Sequence, residues 1–287
     1  MIEDPFVAHR SLLFTVAYEM LGSAADAEDV LQESWLRWAD VNQSQVSDPR
    51  AYLIRVVTRQ ALNQMRTLSR RREEYVGEWL PEPLLTSPDV AEDVELAESV
   101  SMAMLTVLET LEPTERAVFV LHQVFDMPYG EIAEAIGKSV AAVRQIAWRA
   151  REHVAARRPR MQVSRSEQQA VVDRFLAALR TGQLRDLMEV MAPDVVLIAD
   201  GGGLVPAART PIYGAEQVAK LLARAKQTAT LETTPVWLNG APAGRVEVGG
   251  QLLAVSLVIE NAQVTRIYAI ANPQKLTRLE NPAELAR

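Results

Sequence analysis

The side chains best placed to do chemistry in this chain are its arginines, and the chemistry is ionic. From Arg50 to Arg72 there are seven arginines and no acid, and from Lys138 to Arg160 seven bases and one acid, Glu152. Acidic stretches alternate with these blocks: seven acids and one base (Arg37) from Glu19 to Asp48, and nine acids with no base from Glu73 to Glu98. The chain as a whole carries a net charge of −7, which argues against a uniformly basic nucleic-acid binder. Two basic blocks held apart by acidic ones suit a reader that grips DNA at two places. Solvated helix faces are the plainer alternative, although such faces usually mix the two signs.

Other chemistry is poorly provided for. The three histidines (His9, His122, His153) are far apart, cysteine is absent, and no HExxH, GxSxG or P-loop pattern occurs. The lack of cysteine excludes disulfides and thiolate metal sites and suits a reducing cytoplasm. Asp200, at the end of a strand-like run, is the obvious candidate for a general base. Gly201, Gly202 and Gly203 follow it, however, which suits a turn, and no histidine occurs after His153. The expectation is therefore a protein that is not an enzyme, with no cofactor and no metal site. No apolar run reaches the ~18 residues of a membrane span, and the N-terminal MIEDPFVAHR lacks the apolar segment of a signal peptide. The expected location is cytoplasmic, with no membrane partner.

The elements that must position the arginines are helices. Phe6, Leu13, Val16, Ala17 and Met20 form one apolar stripe; Gly22-Ser23 breaks it. Ala24 to Trp38 reads as a second helix, with Val30, Leu31, Ser34 and Trp38 near one face. Pro49 starts a third, running to about Leu68, whose apolar face holds Leu53, Val56, Val57, Ala61, Met65 and Leu68. Three prolines between Pro81 and Pro88 exclude a regular helix there. That acidic stretch also carries Trp79, Leu80, Leu84 and Leu85, which a mere spacer does not need, so it reads as a linker that docks on something. Helical pattern resumes from 98 to 156. Pro113 starts one helix, Pro128 the next, Gly137 ends that one, and Ser139 can cap the last, with Val140, Val143, Ala147, Ala150 and Val154 on its inner face.

The last pair has the outline of a helix-turn-helix. In such a motif the second helix enters the major groove. The outward positions here are Ser139, Ala141, Arg144, Gln145, Trp148, Arg149 and Arg151. Arginine can pair with guanine and glutamine with adenine, while Arg149 and Arg151 are better placed for phosphates. On the third helix Arg55, Arg59, Asn63, Arg66, Arg70 and Arg71 combine charge with amide groups that could hold a backbone and capture unpaired bases. Taken singly, a helical hairpin with a basic surface and a charged amphipathic helix remain open readings.

Together these features resemble a known family. Asp26-Ala27-Glu28-Asp29-Val30-Leu31-Gln32-Glu33-Ser34-Trp35-Leu36-Arg37-Trp38 resembles region 2.2 of sigma-70 family proteins, the segment that docks on the β′ clamp helices of RNA polymerase. The resemblance implies polymerase contacts at Asp29, Gln32 and Glu33. The basic third helix resembles regions 2.3 and 2.4, which melt and read the −10 element. Leu111 to Phe119 with the helix-turn-helix resembles region 4, which reads the −35 element. Regions 1.1 and 3 have no counterpart, which points to the extracytoplasmic-function (ECF) group. Three short stretches are similar to the ECF subgroup with a C-terminal SnoaL-like extension: WLPEPLL (Trp79, Pro81 and Pro83 among them), Asp200-Gly201-Gly202-Gly203, and Asn272-Pro273-Gln274-Lys275-Leu276. Leu204 stands where that subgroup commonly has lysine, Asn63 where region 2 commonly has aspartate, and Trp148 where the recognition helix often has a smaller polar or imidazole side chain.

The expected fold is multidomain. Two all-α sigma domains, a region 2 bundle (1–73) and a region 4 helix-turn-helix (98–158), flank an acidic Pro-rich linker (74–97). An α+β SnoaL-like, NTF2-like cone follows at 166–285. Within the cone, helices at about 166–180 and 183–191 precede antiparallel strands at Asp194–Ala199, Leu231–Leu238, Arg245–Val248, Leu252–Ile259 and Val264–Ile270. Tyr213 and Tyr268 are expected as walls of an apolar pocket open to a small-molecule ligand. The expected partners are core RNA polymerase, through β′ and β, and promoter DNA at the −35 and −10 elements. The expected function is an alternative sigma factor whose activity is set by its own extension, acting through Trp79, Pro81, Pro83, Asp200–Gly203 and Asn272–Leu276. A ligand-responsive helix-turn-helix repressor is the rival, and it leaves the acidic-then-basic N-terminal module unexplained.

Overall fold

The computed structural model describes residues 4–158 and 163–287, with the side chains of 69–73 outside the description. The N-terminal bundle is built from α1 (Pro5–Ala8), α2 (Arg10–Leu21), α3 (Ala24–Ala39) and α4 (Pro49–Glu73). Gly22 ends α2 with φ of 68°, and the Ser23 hydroxyl caps α3 by accepting from the Asp26 amide. Leu13, Val16, Trp38, Leu53 and Val57 are buried in its core. Within the stretch read as linker, α5 (Val94–Ser99) already forms, capped by Asp93.

α6 (Met102–Leu108), α7 (Pro113–Phe119), α8 (Tyr129–Ile136) and α9 (Val140–Ala155) follow. Gly137 ends α8 in the left-handed region, and Ser139 Oγ accepts from the Ala142 amide to start α9. The α8–turn–α9 unit is a helix-turn-helix. Val143, Ala147, Ala150 and Val154 are buried as expected, but Val140 is 38% exposed: it sits in the first turn of α9, before the helix meets its neighbours. The two helical modules share one core, which runs from Phe6 through Leu105 to Val154.

The C-terminal domain is α+β, a curved six-stranded sheet with helices on one face. α10 (Arg165–Thr181) and α11 (Leu184–Val190) lead into β1 (Met191–Asp200), then β2 (Ile212–Tyr213), α12 (Ala215–Thr228), β3 (Leu231–Leu238), β4 (Ala241–Val248), β5 (Gln251–Glu260) and β6 (Gln263–Ile270). The sheet order is β2-β1-β6-β5-β4-β3. The strands are not all antiparallel as expected: β1 and β6 pair in parallel, because α12 and the hairpins intervene and bring the last strand back beside the first. α12 starts after Gly214 without a side-chain cap, although its buried Ala215, Val218, Ala219 and Ala223 recur at helical spacing, and the two-residue β2 is too short to show a period. Its two sheet faces have different jobs. One packs against α10 and α12; the other, with Tyr268, Ile270, Ala254 and Leu238, buries Leu80 of the linker, Met102 of α6 and Leu276.

Candidate functional site

α3 presents Asp29, Gln32 and Glu33 on its exposed face. Beside them Trp35 and Leu36 are 39% and 60% exposed, and with Phe6, Val7 and Leu31 they line a surface groove against α1. An exposed Trp-Leu pair beside an acidic stripe is the kind of apolar surface on which protein partners dock. Trp35 and Leu36 were legible within the motif but not singled out, since residue type alone does not tell a buried tryptophan (Trp38) from an exposed one.

The basic helix α4 is not free. Arg59 donates from Nε to the Ala135 carbonyl at 3.0 Å and from Nη2 to the Glu134 carbonyl at 2.9 Å. Those carbonyls lie in the last turn of α8, where helical acceptors lack intrahelical partners and a cation is favoured. Arg55 pairs with the Glu134 carboxylate at 3.6 Å. Two of the residues expected to meet DNA therefore hold the helix-turn-helix instead. Asn63 and Arg66 remain exposed along the same helix, bonded to each other. The side chains of Arg70 and Arg71 lie outside the described residues. On α9, Ser139, Arg144, Gln145, Trp148, Arg149 and Arg151 are all exposed, Trp148 by 58%. Arg144 sits over the Tyr129 ring at 5.9 Å, and Arg149 lies 3.7 Å from Glu115.

A second buried knot joins the two helical modules. Arg116, 1% exposed, donates to the Glu19 carbonyl at 2.8 Å and to the Glu109 carboxylate at 2.7 Å. Glu19 accepts from the Ser99 hydroxyl at 2.7 Å. Burial pushes the Glu19 carboxyl up to about 8, against the opposing pull of Ser99 and Arg116, so it is held protonated at neutral pH.

The third constellation is a clasp between linker and C-terminal domain. Asp200 is fully buried at the end of β1. Its carboxylate accepts from the Tyr75 hydroxyl at 2.5 Å, the Leu80 amide at 2.9 Å, the Gly202 amide at 3.1 Å and the Lys275 ammonium at 2.7 Å. Lys275 also donates to the Leu80 carbonyl at 2.5 Å, and its ammonium lies 3.2 Å from the centroid of the Trp79 ring. Asn272 donates to the Tyr75 hydroxyl at 2.8 Å. A Cβ on Gly202 would fall 2.3 Å from the Asn272 amide nitrogen, so the loop can approach only without a side chain there. Gly203 abuts Val76, while Leu276 joins the apolar cluster with Leu80 and Pro273 opens the short turn that holds Lys275. The three sequence stretches thus meet at one point, with Tyr75 as the member that motif reading missed; an aromatic side chain in an otherwise polar stretch was the available signal.

The rest of the linker continues the seam. Pro81 and Pro83 are buried. The Glu82 carboxylate caps α3 from outside, accepting from the Ala24 amide at 2.7 Å and the Ala25 amide at 3.2 Å; burial raises its pKa even so. Thr86 donates to the Trp237 carbonyl at 3.0 Å and Asn239 to the Leu84 carbonyl at 2.9 Å, extending the β3 edge. The Asn239 side chain accepts from the Leu84 amide and donates to the Tyr18 hydroxyl and the Val100 carbonyl. Asn239-Gly240, both with positive φ, is the Asn-Gly hairpin turn that sequence could have revealed.

Asp200 therefore faces the seam and not a pocket, which removes it as a general base. Tyr268 is buried on that same seam face, and Tyr213 is 66% exposed; neither walls the cavity on the other face. The period-2 alternation along β6 decides this: Ile267 and Ala269 face one side, Tyr268 and Ile270 the other.

Comparison with known proteins agrees with this organisation. Residues 6–71 match the family Sigma-70 region 2, and residues 101–154 match Sigma-70, region 4. The chain is 37% identical to "ECF RNA polymerase sigma factor SigJ" of Mycobacterium tuberculosis over 95% of this chain and 92% of that protein. It is 33% identical to "Probable ECF RNA polymerase sigma factor SigI" of the same species, over 95% and 93%. The crystal structure of M. tuberculosis SigJ superposes with a TM-score of 0.78 at 34% identity, covering 96% of this chain and 98% of that one.

Proposed function

The chain belongs to the ECF sigma factors of the sigma-70 family and is an alternative sigma factor that directs RNA polymerase to promoters; from that premise we propose that the structure is its closed state, held shut by the C-terminal domain. In this reading Asp29, Gln32 and Glu33, with Trp35 and Leu36, meet the β′ clamp helices. Asn63, Arg66, Arg70 and Arg71, with Arg55 and Arg59 once released, engage the −10 element. Ser139, Arg144, Gln145 and Trp148 read the −35 element, and Arg149 and Arg151 hold its phosphates. The chain's own residues supply recognition and positioning, and the polymerase makes the RNA.

The observation that carries the closed reading is the Arg59–α8 contact. Two promoter elements about two turns of duplex apart are separated by roughly 70 Å at 34–36 Å per turn. Here the two readers touch at 2.9 Å. Both elements cannot be read at once until α4 and α8 part, and the linker between those modules is bonded to the C-terminal domain at Tyr75, Leu80, Leu84 and Thr86. The modules taken here, 1–73, 98–158 and 166–285 with the linker between, are the units that would move. Run-off transcription with core polymerase tests this. Trp79→Ala, which loosens the clasp without touching either reader, is expected to yield more transcript than the wild type at equal protein. Equal or lower output, with core-polymerase binding also unchanged, would overturn the closed reading.

A further inference from the structure

Opposite the clasp, across the thickness of one sheet, lies a cavity of about 490 Å³. α10 contributes Phe175, α12 contributes Leu221 and Ala225, and the sheet contributes Leu253, Ile267 and Ala269. Among the described residues Gln251 is the one polar side chain on the wall, and none that lines it is charged. Leu221 is 41% exposed and Pro206 is exposed, which marks the side where the cavity meets solvent. The size is that of a small-molecule site. The lining excludes an ionic ligand, since a buried charge would find no partner. It also provides no acid–base pair for catalysis.

The same strands and one loop serve both faces. In β1, Leu197 and Ala199 face the cavity while Asp200 anchors the clasp; in β6, Ile267 and Ala269 face the cavity while Tyr268 and Ile270 face the seam. The loop from Gly201 to Arg209 is shared more directly. Pro206, Ala207 and Ala208 wall the cavity, and the same three residues border a cleft whose other bank is Val76 and Gly77 of the linker. A Cβ on Gly203 would meet Val76 at 3.0 Å, so loop and linker are already in close contact. The loop that walls one side of the cavity is therefore supported on its other side by the linker.

We propose that this cavity binds an uncharged, largely aliphatic or alicyclic molecule bearing at most one hydroxyl or carbonyl group, which pairs with Gln251, and that its binding strengthens docking of the linker and keeps the sigma factor closed. The proposal rests on the closed reading above and adds the ligand class and the sign of its effect. A ligand that fits the cavity as formed here favours the state in which its walls are complete, and by linkage the docked linker favours the ligand equally.

The full-length protein is titrated with the uncharged fluorophore N-phenylnaphthylamine, with dodecanol as competitor. The expected result is saturable binding, displaced by dodecanol and lost when the cavity is filled by Ala225→Leu with Ala269→Leu. Trp79→Ala, which lies outside the cavity, is expected to weaken binding about tenfold through the coupling. Dodecanol is expected to lower run-off transcription by wild type with core polymerase, and to leave the filled variant unaffected. Should the filled variant misfold, a diazirine-bearing dodecanol photo-cross-linked to wild type gives the site directly, with labels expected on the peptides holding Leu221 or Leu253. Absent saturable binding, or labels elsewhere, overturns the site. Binding of equal strength in wild type and Trp79→Ala, with transcription indifferent to dodecanol, overturns the coupling and so the proposal. Failure of the closed reading shows separately, as wild-type output from Trp79→Ala with no dodecanol present while saturable binding persists.

Discussion

Replacing Lys275 with methionine removes the cation of the clasp while keeping much of the side chain's bulk. Lys275 is 7% exposed and Asp200 is not exposed at all, so the loss leaves a carboxylate buried with three neutral donors: the Tyr75 hydroxyl and the Leu80 and Gly202 amides. It also leaves the Leu80 carbonyl without its ammonium donor. Removing one partner of a buried pair costs about 3–5 kcal/mol. The three remaining donors place the cost near the low end, about 3 kcal/mol, even with the lost Trp79 ring contact included. At 1.4 kcal/mol per tenfold, the docked population should fall by roughly 150-fold relative to the undocked. Hydrogen exchange at the Leu80 amide reads this directly, because that amide is bonded to Asp200 across the seam. Its protection is expected to drop by about two orders of magnitude, with transcription rising in parallel. Adding Asp200→Asn to Lys275→Met should recover part of the loss, since the stranded charge disappears. A drop in protection of less than about tenfold from Lys275→Met alone would refute the assignment of the clasp as a buried, charge-dependent lock.

The interface between the helical modules should weaken as pH rises. Glu19 holds a proton in the folded state up to about 8, against an ordinary value of 4.5, so its contribution is complete below 4.5 and is lost as pH climbs through 8. Glu82, whose pKa burial also raises, acts in the same direction. Thermal denaturation should therefore show stability falling between pH 5 and 8, with a visibly flatter profile in Glu19→Gln; a profile unchanged by that substitution would contradict it. Changing Asp29, Gln32 and Glu33 together to alanine should abolish run-off transcripts while leaving the melting temperature within a degree or two, since all three are exposed. On α9, Arg144→Ala should cost about 1–3 kcal/mol and relax discrimination at one base position, whereas Arg151→Ala should weaken binding evenly across sequences and flatten the salt dependence, both measured by gel shift on promoter variants.

Much of this protein was legible in its sequence because the relevant signals are local. Helical periodicity, Gly22, Gly137 and the caps at Ser23 and Ser139 act within a few residues, and alternating blocks of charge need no partner to be seen. Resemblance to one subgroup also singled out the three stretches that hold Trp79, Asp200 and Lys275. It could not show that their meeting point faces the helical modules, because which side of β1 is buried against the linker depends on where the whole sheet docks. Likewise Arg55 and Arg59 are by type DNA-binding residues, and only the packing of α4 on α8 engages them elsewhere, Arg59 with the last-turn carbonyls of α8 and Arg55 with the Glu134 carboxylate. The bonds that close the molecule span 125 residues from Tyr75 to Asp200 and 221 from Tyr18 to Asn239. Local propensity determined the helices, the strands and the charge of each face. Long-range packing alone decided which of those faces meet each other and which remain free to meet polymerase and DNA.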